Sequence, residues 1–227
     1  MICVTDMSCV LINVGSGGSN PNGRGRIFDD GTYEYLPLPE QERTSEKIPT
    51  YRDIGFEKVK YPDIAVHLDP EFETYTYGHV IRGFGDVRLF VGLKAGGMLL
   101  FYSTLQNGHH WAPYIIGYFF VDRAIDCRNF QASDIFALRS EGFQNNAHLK
   151  RINPQVDFLV KGDDNSRLLK KAFRMTETTE PLALRKSLRN LLFTPSGRAI
   201  GDGKPWYRWT LICKNPSELL QVIAEDS

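Results

Sequence analysis

Apolar positions along the chain gather into short blocks, and the densest blocks lie together in GDVRLFVGLKAGGMLLFYSTLQNGHHWAPYIIGYFFVDRAID, residues 85–126. Three β-branched and aromatic runs, 87–93, 98–105 and 114–121, have strand length and are separated by turn residues, which predicts an antiparallel meander. The runs are nearly continuous in hydrophobicity instead of alternating, so both faces of these strands are expected to be covered, as at the centre of a sheet or closed barrel. Lys94-Ala95-Gly96-Gly97 predicts a tight hairpin, and 106–113 a longer turn carrying His109, His110 and Trp111.

The flanking pattern extends this picture. CVLINV at 9–14 predicts a first strand that runs into the glycine-rich stretch GSGGSNPNGRGR. That stretch lacks GxxxxGK[ST], and no amphipathic helix follows whose N-terminus could hold a phosphate. Asp30-Gly31 reads as a turn between short strands at 26–28 and 32–36, closed by Pro37 and Pro39. Residues 40–63 are polar with weak periodicity, a surface excursion with at most one short helix. Beyond 126 the pattern predicts a helix within 133–143 with Ser133 as N-cap, a strand at 157–161, and an amphipathic helix over 166–175 (SRLLKKAFRM) with Leu168, Leu169, Ala172 and Phe173 on one face. A second basic helix over 181–192, a strand over 206–213 and a last helix opened by Pro216 complete the chain. The expected fold is α+β: a mainly antiparallel β-barrel or bent sheet formed mostly before Asp126, with three or four helices, mostly C-terminal. A single domain over 1–227 is expected, with a β-rich core to residue 130 and a helical, basic flank from 131 to 227.

Charge changes this picture only locally. The net charge is zero, yet residues 139–214 hold fifteen Lys and Arg against seven Asp and Glu, an excess of eight positive charges. Such a third suits an anionic partner or, equally, a solvated helical face. Four cysteines without a CxxC pair argue against a zinc ribbon or a disulfide scaffold. With neither a signal-type apolar segment nor a spanning-length apolar run, a cytoplasmic protein without membrane contact is expected.

Several groups of residues carry candidate chemistry. Arg24 and Arg26 are the only charges of the glycine-rich loop, placed to meet an anion beside exposed backbone N–H groups. In AVHLDP, His67 and Asp69 stand two apart, which on an extended segment puts both side chains on one face; a later histidine, among His79, His109, His110 and His148, would complete the facial triad of an iron-dependent oxygenase. A histidine bonded to its neighbouring carboxylate in a turn explains the same pair. In QNNAHLKR, Asn145, Asn146, His148, Lys150 and Arg151 combine amides with cations, a set that suits a base edge and a phosphate together. Trp111, Tyr114, Trp206, Tyr207 and Trp209 are candidate stacking platforms for a base.

The order of a strand, a Gly/Ser/Asn/Pro-rich loop, RGRIFDDGTYEYLPLPE, HLDPEF, GDVRLFVGL and YIIGYFFV resembles the nucleotide-modification-associated domain family, whose members carry phrases of the type PIF-DGT---LPIP, HLDP and GDLFLFFG in the same order. The resemblance covers roughly 10–121 and departs at Asn20, Pro21, Asn22 and Gly23, where the family is richer in serine and cysteine. It implies a protein connected to modified bases or nucleotides, and matches the family at Arg24, Arg26, Asp30, His67, Asp69 and Gly85-Asp86. The meander is also similar to the small barrels of the PUA, ASCH and EVE group, which hold single-stranded nucleic acid or one flipped-out base.

The leading expectation is therefore recognition or processing of modified bases or nucleotides, with a single-stranded nucleic acid or a nucleotide as partner. The glycine-rich loop, Trp111 and the cluster from Asn145 to Arg151 are expected around one pocket. The rival is a metal-dependent enzyme acting on nucleotides or bases through His67 and Asp69, and the third reading an interaction protein without a small-molecule site. No motif assigns a cofactor or a metal.

Overall fold

The computed structural model describes residues 9–15, 20–81, 89–177, 183–194, 196–200, 206 and 210–225. The longest elements are β6 (Met98–Asn107) and β7 (His110–Asp126), and they form one hairpin. Asn107 pairs with His110, so the turn is only Gly108 and His109, and Gly108 takes the positive φ of 57° that such a turn needs. His110 and Trp111 thus belong to β7, not to the long turn expected over 106–113.

Around this hairpin the described residues build a nine-stranded mixed sheet. β1 (Cys9–Asn13) and β2 (Gly25–Arg26) both run parallel to β6 along the same edge, at Met98 to Tyr102 and at Leu105 and Gln106. Outside β1 lie β11 (Leu211–Cys213) and then β10 (Leu192–Phe193). On the other side, β7 pairs with β9 (Arg167–Arg174) through its first half and with β8 (Phe158–Gly162) through its second, and β8 pairs with β5 (Thr76–His79). β3 (Leu38–Pro39) and β4 (Val66–His67) form a separate pair. The fold is α+β, as the pattern of elements predicts. Among the described residues the sheet path ends at β10 and β5 without pairing between them, so no closed barrel forms.

Both faces of the central strands are covered, as their unbroken hydrophobicity predicts. Cys9, Leu11, Met98, Leu100 and Tyr102 pack with Leu188, Trp206, Leu219 and Ile223 on one face. Val10, Ile12, Leu99, Phe101 and Leu105 pack with Tyr77, Phe90, Phe119 and Val160 on the other. Leu188 comes from the single turn α2 (Lys186–Arg189), and Leu219 and Ile223 from α3 (Pro216–Glu225). The expected helix at 133–143 is α1 (Ala132–Ala137) followed by a 3₁₀ turn Leu138–Glu141 that stops at Gly142, φ 94°. Residues 40–63 hold turns and no helix.

Three expectations fail for identifiable reasons. The amphipathic segment 166–175 is not a helix but strand β9. Helix preference there is worth at most about 0.7 kcal/mol per residue, whereas burying Phe173 opposite Ile115 is worth roughly 1.5–3 kcal/mol and comes with ladder hydrogen bonds. Leu169 and Phe173 lie four apart, a spacing that satisfies periods of 3.6 and of 2 alike. Residues 89–92 of the first predicted strand form a helical turn, which removes the strand-to-strand hairpin expected at 94–97; Val87 and Arg88 lie outside the described residues. Finally, β8 to β11 join the same sheet as β1, so the sheet is not formed mostly before Asp126 and strands of the C-terminal part complete it. Among the described residues no helix is long and apolar enough to cross a membrane.

Candidate metal centre

Three segments that are distant in sequence meet beside β5. β4 ends on His67, and Asp69 follows two residues later across a tight turn in which the Asp69 N–H donates to the His67 carbonyl at 3.0 Å. Asp69 is held by one oxygen: its Oδ1 accepts the backbone N–H of Gly78 in β5 at 2.9 Å and the Nδ2 of Asn146 at 3.5 Å. Asn146 also caps the 3₁₀ turn Ala147–Lys150, its Oδ1 accepting the N–H of His148 at 3.1 Å, and this turn aims His148 at Asp69. Gly78 is required here, since a Cβ at this position would lie 2.4 Å from His148 Cδ2. The rings of His67 and His148 stand 4.7 Å apart and nearly perpendicular, at 86°.

The outward ring nitrogens fix the tautomers. His67 Nδ1 is 2.7 Å from Glu40 Oε2, and His148 Nδ1 is 2.9 Å from the Gln155 carbonyl oxygen. A carbonyl only accepts, and Glu40 is ionised: burial opposes its charge, but hydrogen bonds from His67, the Glu42 N–H and Arg151 overcome this and lower its pKa to about 2. Each imidazole therefore carries a proton on Nδ1, which leaves Nε2 as the ligating nitrogen of its neutral form. The two Nε2 atoms face Asp69 Oδ2, at 3.8 Å from His67 and 3.3 Å from His148. One ligand atom from each of the three residues lies within 4.8 Å of the others. Either a proton on Nε2 or a cation among the three atoms reconciles this close approach, and bonds of about 2.1 Å to one ion would space such atoms roughly 3–3.5 Å apart. The donor set of two imidazoles and one carboxylate fits a divalent metal, and the side chains are pre-aimed by their outer partners.

The three residues line a cleft of about 940 Å³ whose other walls include Ile12, Asn13, Leu38, Gln41 and Thr210. Tyr35, behind Asp69, donates its hydroxyl to the Val14 carbonyl at 3.0 Å, and burial, together with the Asp69 charge, pushes its pKa well up.

The candidate residues divide sharply. His67, Asp69, Asn146, His148 and Arg151 are brought together, Arg151 through Glu40 at 2.9 Å. His79 lines the cleft, but its ring stacks on Phe90 at 4.3 Å and its Nδ1 meets the Tyr77 hydroxyl, outside the donor set. Arg24 lies over the Trp111 ring at 4.9 Å, and Arg26 is paired with Glu34 at 2.6 Å; neither they nor Trp111 line the cleft. Asn20 and Pro21 of the glycine-rich loop do line the cleft together with His148 and Arg151, so of the expected pocket it is Trp111 and the two loop arginines that lie elsewhere. Asp30 is a turn residue whose Oδ1 accepts from Thr32, which together with the turn geometry lowers its pKa. Asn145 and Lys150 sit on the cluster's outer side; the Lys150 carbonyl accepts from Ser45. His109 and His110 are exposed at the hairpin end, and Tyr114 and Trp206 are core, not platforms. Residues 16–19, Gly85-Asp86, Tyr207 and Trp209 lie outside the described residues. Glu40, Gly78 and Gln155 went unread in the sequence, because a carboxylate after LPLP, a glycine in a strand and a backbone carbonyl carry no local signature.

Residues 8–213 match the family described as nucleotide modification associated domain 3. The chain belongs to this family. All the donor residues and their partners fall within the matched stretch, and the family assignment connects the domain to nucleotide modification. No curated protein and no solved structure matches the chain.

Proposed function

We propose that this nucleotide modification associated domain is a metal-dependent enzyme that processes nucleotides or nucleic-acid bases, with His67, Asp69 and His148 as the metal ligands. The observation that carries the reading is the convergence of two imidazole Nε2 atoms and Asp69 Oδ2 in the wall of a large cleft. A divalent metal held by these three groups supplies a Lewis-acidic or redox centre with positions open to the cleft. Glu40 and the Gln155 carbonyl keep the two imidazoles in the ligand tautomer, and Asn146 with the Gly78 N–H turns Asp69 Oδ2 inward. The cleft is wide enough for a base or nucleoside, since ligand sites of about 300–1,000 Å³ take small organic molecules.

The test has two parts. Purified protein is stripped, reloaded with Fe(II), Mn(II) or Zn(II), and its metal content measured beside that of Asp69→Asn. The loaded protein is then incubated with nucleosides, nucleotides and single-stranded oligonucleotides, and the products are read by mass spectrometry. One metal per chain, lost in the variant, with a changed base or nucleotide supports the reading. A chain that retains none of these metals sinks it.

A further inference from the structure

Resting on that reading, we infer that Arg151 is a positioning residue for both histidine ligands, acting through a strap of chain at 38–46. The strap ties the two ligand segments to each other. At one end Leu38 pairs with His67 and Pro39 with Val66, and the Glu40 N–H donates to the Ala65 carbonyl at 2.9 Å. At the other end Thr44 bridges Arg151, the Ile152 N–H donates to the Arg43 carbonyl at 2.9 Å, and Ser45 donates to the Lys150 carbonyl from both its N–H and its hydroxyl. The strap therefore sets the distance between β4 and the turn that carries His148.

Glu40 and Arg151 lock it. The Glu40 side chain is 1% exposed and that of Arg151 13%, and the guanidinium reaches Oε1 from Nη2 at 2.9 Å and from Nε at 3.2 Å. The other oxygen, Oε2, accepts the proton of His67 Nδ1. The same guanidinium places Nη1 3.2 Å from His148 Nδ1 and Nη2 3.4 Å from His67 Nδ1. Since both Nδ1 atoms already donate elsewhere, these approaches are van der Waals and electrostatic contacts, not hydrogen bonds. The planar fork thus packs behind both rings and fixes their tilt toward Asp69 Oδ2. Lysine offers a single point charge and cannot fill that plane. Arg151 and His148 stand three apart across the 3₁₀ turn Ala147–Lys150, which explains how one short segment supplies a ligand and the group that orients both ligands.

Co(II) is the probe, because its visible absorption reports coordination geometry as well as occupancy. Full-length wild type, Arg151→Gln, Arg151→Lys, Glu40→Gln and the double variant Glu40→Gln/Arg151→Gln are titrated, with circular dichroism of each metal-free protein to confirm folding. The loss of an outer partner of a ligand typically costs 10- to 100-fold in metal affinity. Arg151→Gln and Glu40→Gln are each expected to weaken Co(II) by about 10- to 100-fold and to shift its absorption bands. The double variant is expected to be no weaker than the worse single one, as for groups acting as a unit, and Arg151→Lys to recover affinity only in part. Wild-type affinity and an unshifted spectrum in Arg151→Gln, or full additivity in the double variant, would overturn the inference while leaving the metal centre standing. Should Arg151→Gln fail to fold, the spectrum of Arg151→Lys decides: unshifted bands overturn the inference and shifted bands support it. Absence of Co(II) binding in wild type overturns both.

Discussion

Two clusters of polar and aromatic side chains invite a functional reading, and they differ in how their atoms are used. In the first, around Asp69, every outward-facing polar group of the ligands is satisfied by a named partner: Glu40 for His67, the Gln155 carbonyl for His148, Gly78 and Asn146 for Asp69. What remains are two Nε2 atoms and one carboxylate oxygen aimed at one point. In the second, Arg24 covers Trp111, its Nε is buried without a hydrogen-bond partner, and Arg26 is spent on Glu34. The proposed metal centre rests on that convergence, while the second cluster reads as packing at a sheet end.

The comparison breaks or sharpens through graded substitutions. The largest effect is expected for Asp69→Asn. The amide oxygen still accepts from Gly78, so the fold should persist, but an anionic ligand is gone, and divalent-metal affinity should fall by about two orders of magnitude or more in calorimetric titration. Retained affinity would show that the two imidazoles do not depend on this carboxylate. Next comes Gly78→Ala, whose Cβ meets His148 Cδ2 at 2.4 Å. Displacing that ring should cost roughly 1–3 kcal/mol in urea unfolding, with metal affinity falling in parallel; a stable variant that binds metal normally would mean that the turn carrying His148 moves freely. The smallest effect belongs to the second cluster. Arg24→Ala should lose about 0.5–1 kcal/mol of stability and leave metal affinity unchanged. A fall in affinity comparable to that of Gly78→Ala would join the two clusters into one site.

Part of the centre was legible. Histidine and aspartate two apart were expected to meet on one face of an extended segment; His67 and Asp69 do meet, at 3.8 Å, but across a turn closed by the Asp69 N–H and the His67 carbonyl. The third ligand was not, because four later histidines met the same chemical description and nothing local separates them. The choice of His148 follows from the pairing of β8 with β5, which carries the turn just before β8 to Asp69 and to the Gly78 N–H. Asn146, His148 and Arg151 read together as a polar cluster suited to a base edge and phosphate, and the structure turns Asn146 and His148 to Asp69 and Arg151 to Glu40. The residue types were right and their partner was not visible.

By itself, the sequence determined what depends on neighbours along the chain. The long apolar runs of β6 and β7, the Asp30-Gly31 turn, the closing helix at Pro216 and the family to which the chain belongs were all readable, since turn chemistry, periodicity and motif order are local. Tertiary structure decided the rest. It made 167–174 a strand, because pairing with β7 and burial of Phe173 outweigh helix preference. It set β1 and β2 parallel to one edge of β6, and it selected one histidine of four by bringing a distant turn within 3.3 Å of Asp69. Contacts between segments far apart in sequence carry no local signature, and in this protein His67 and Asp69 are joined to His148 by such contacts.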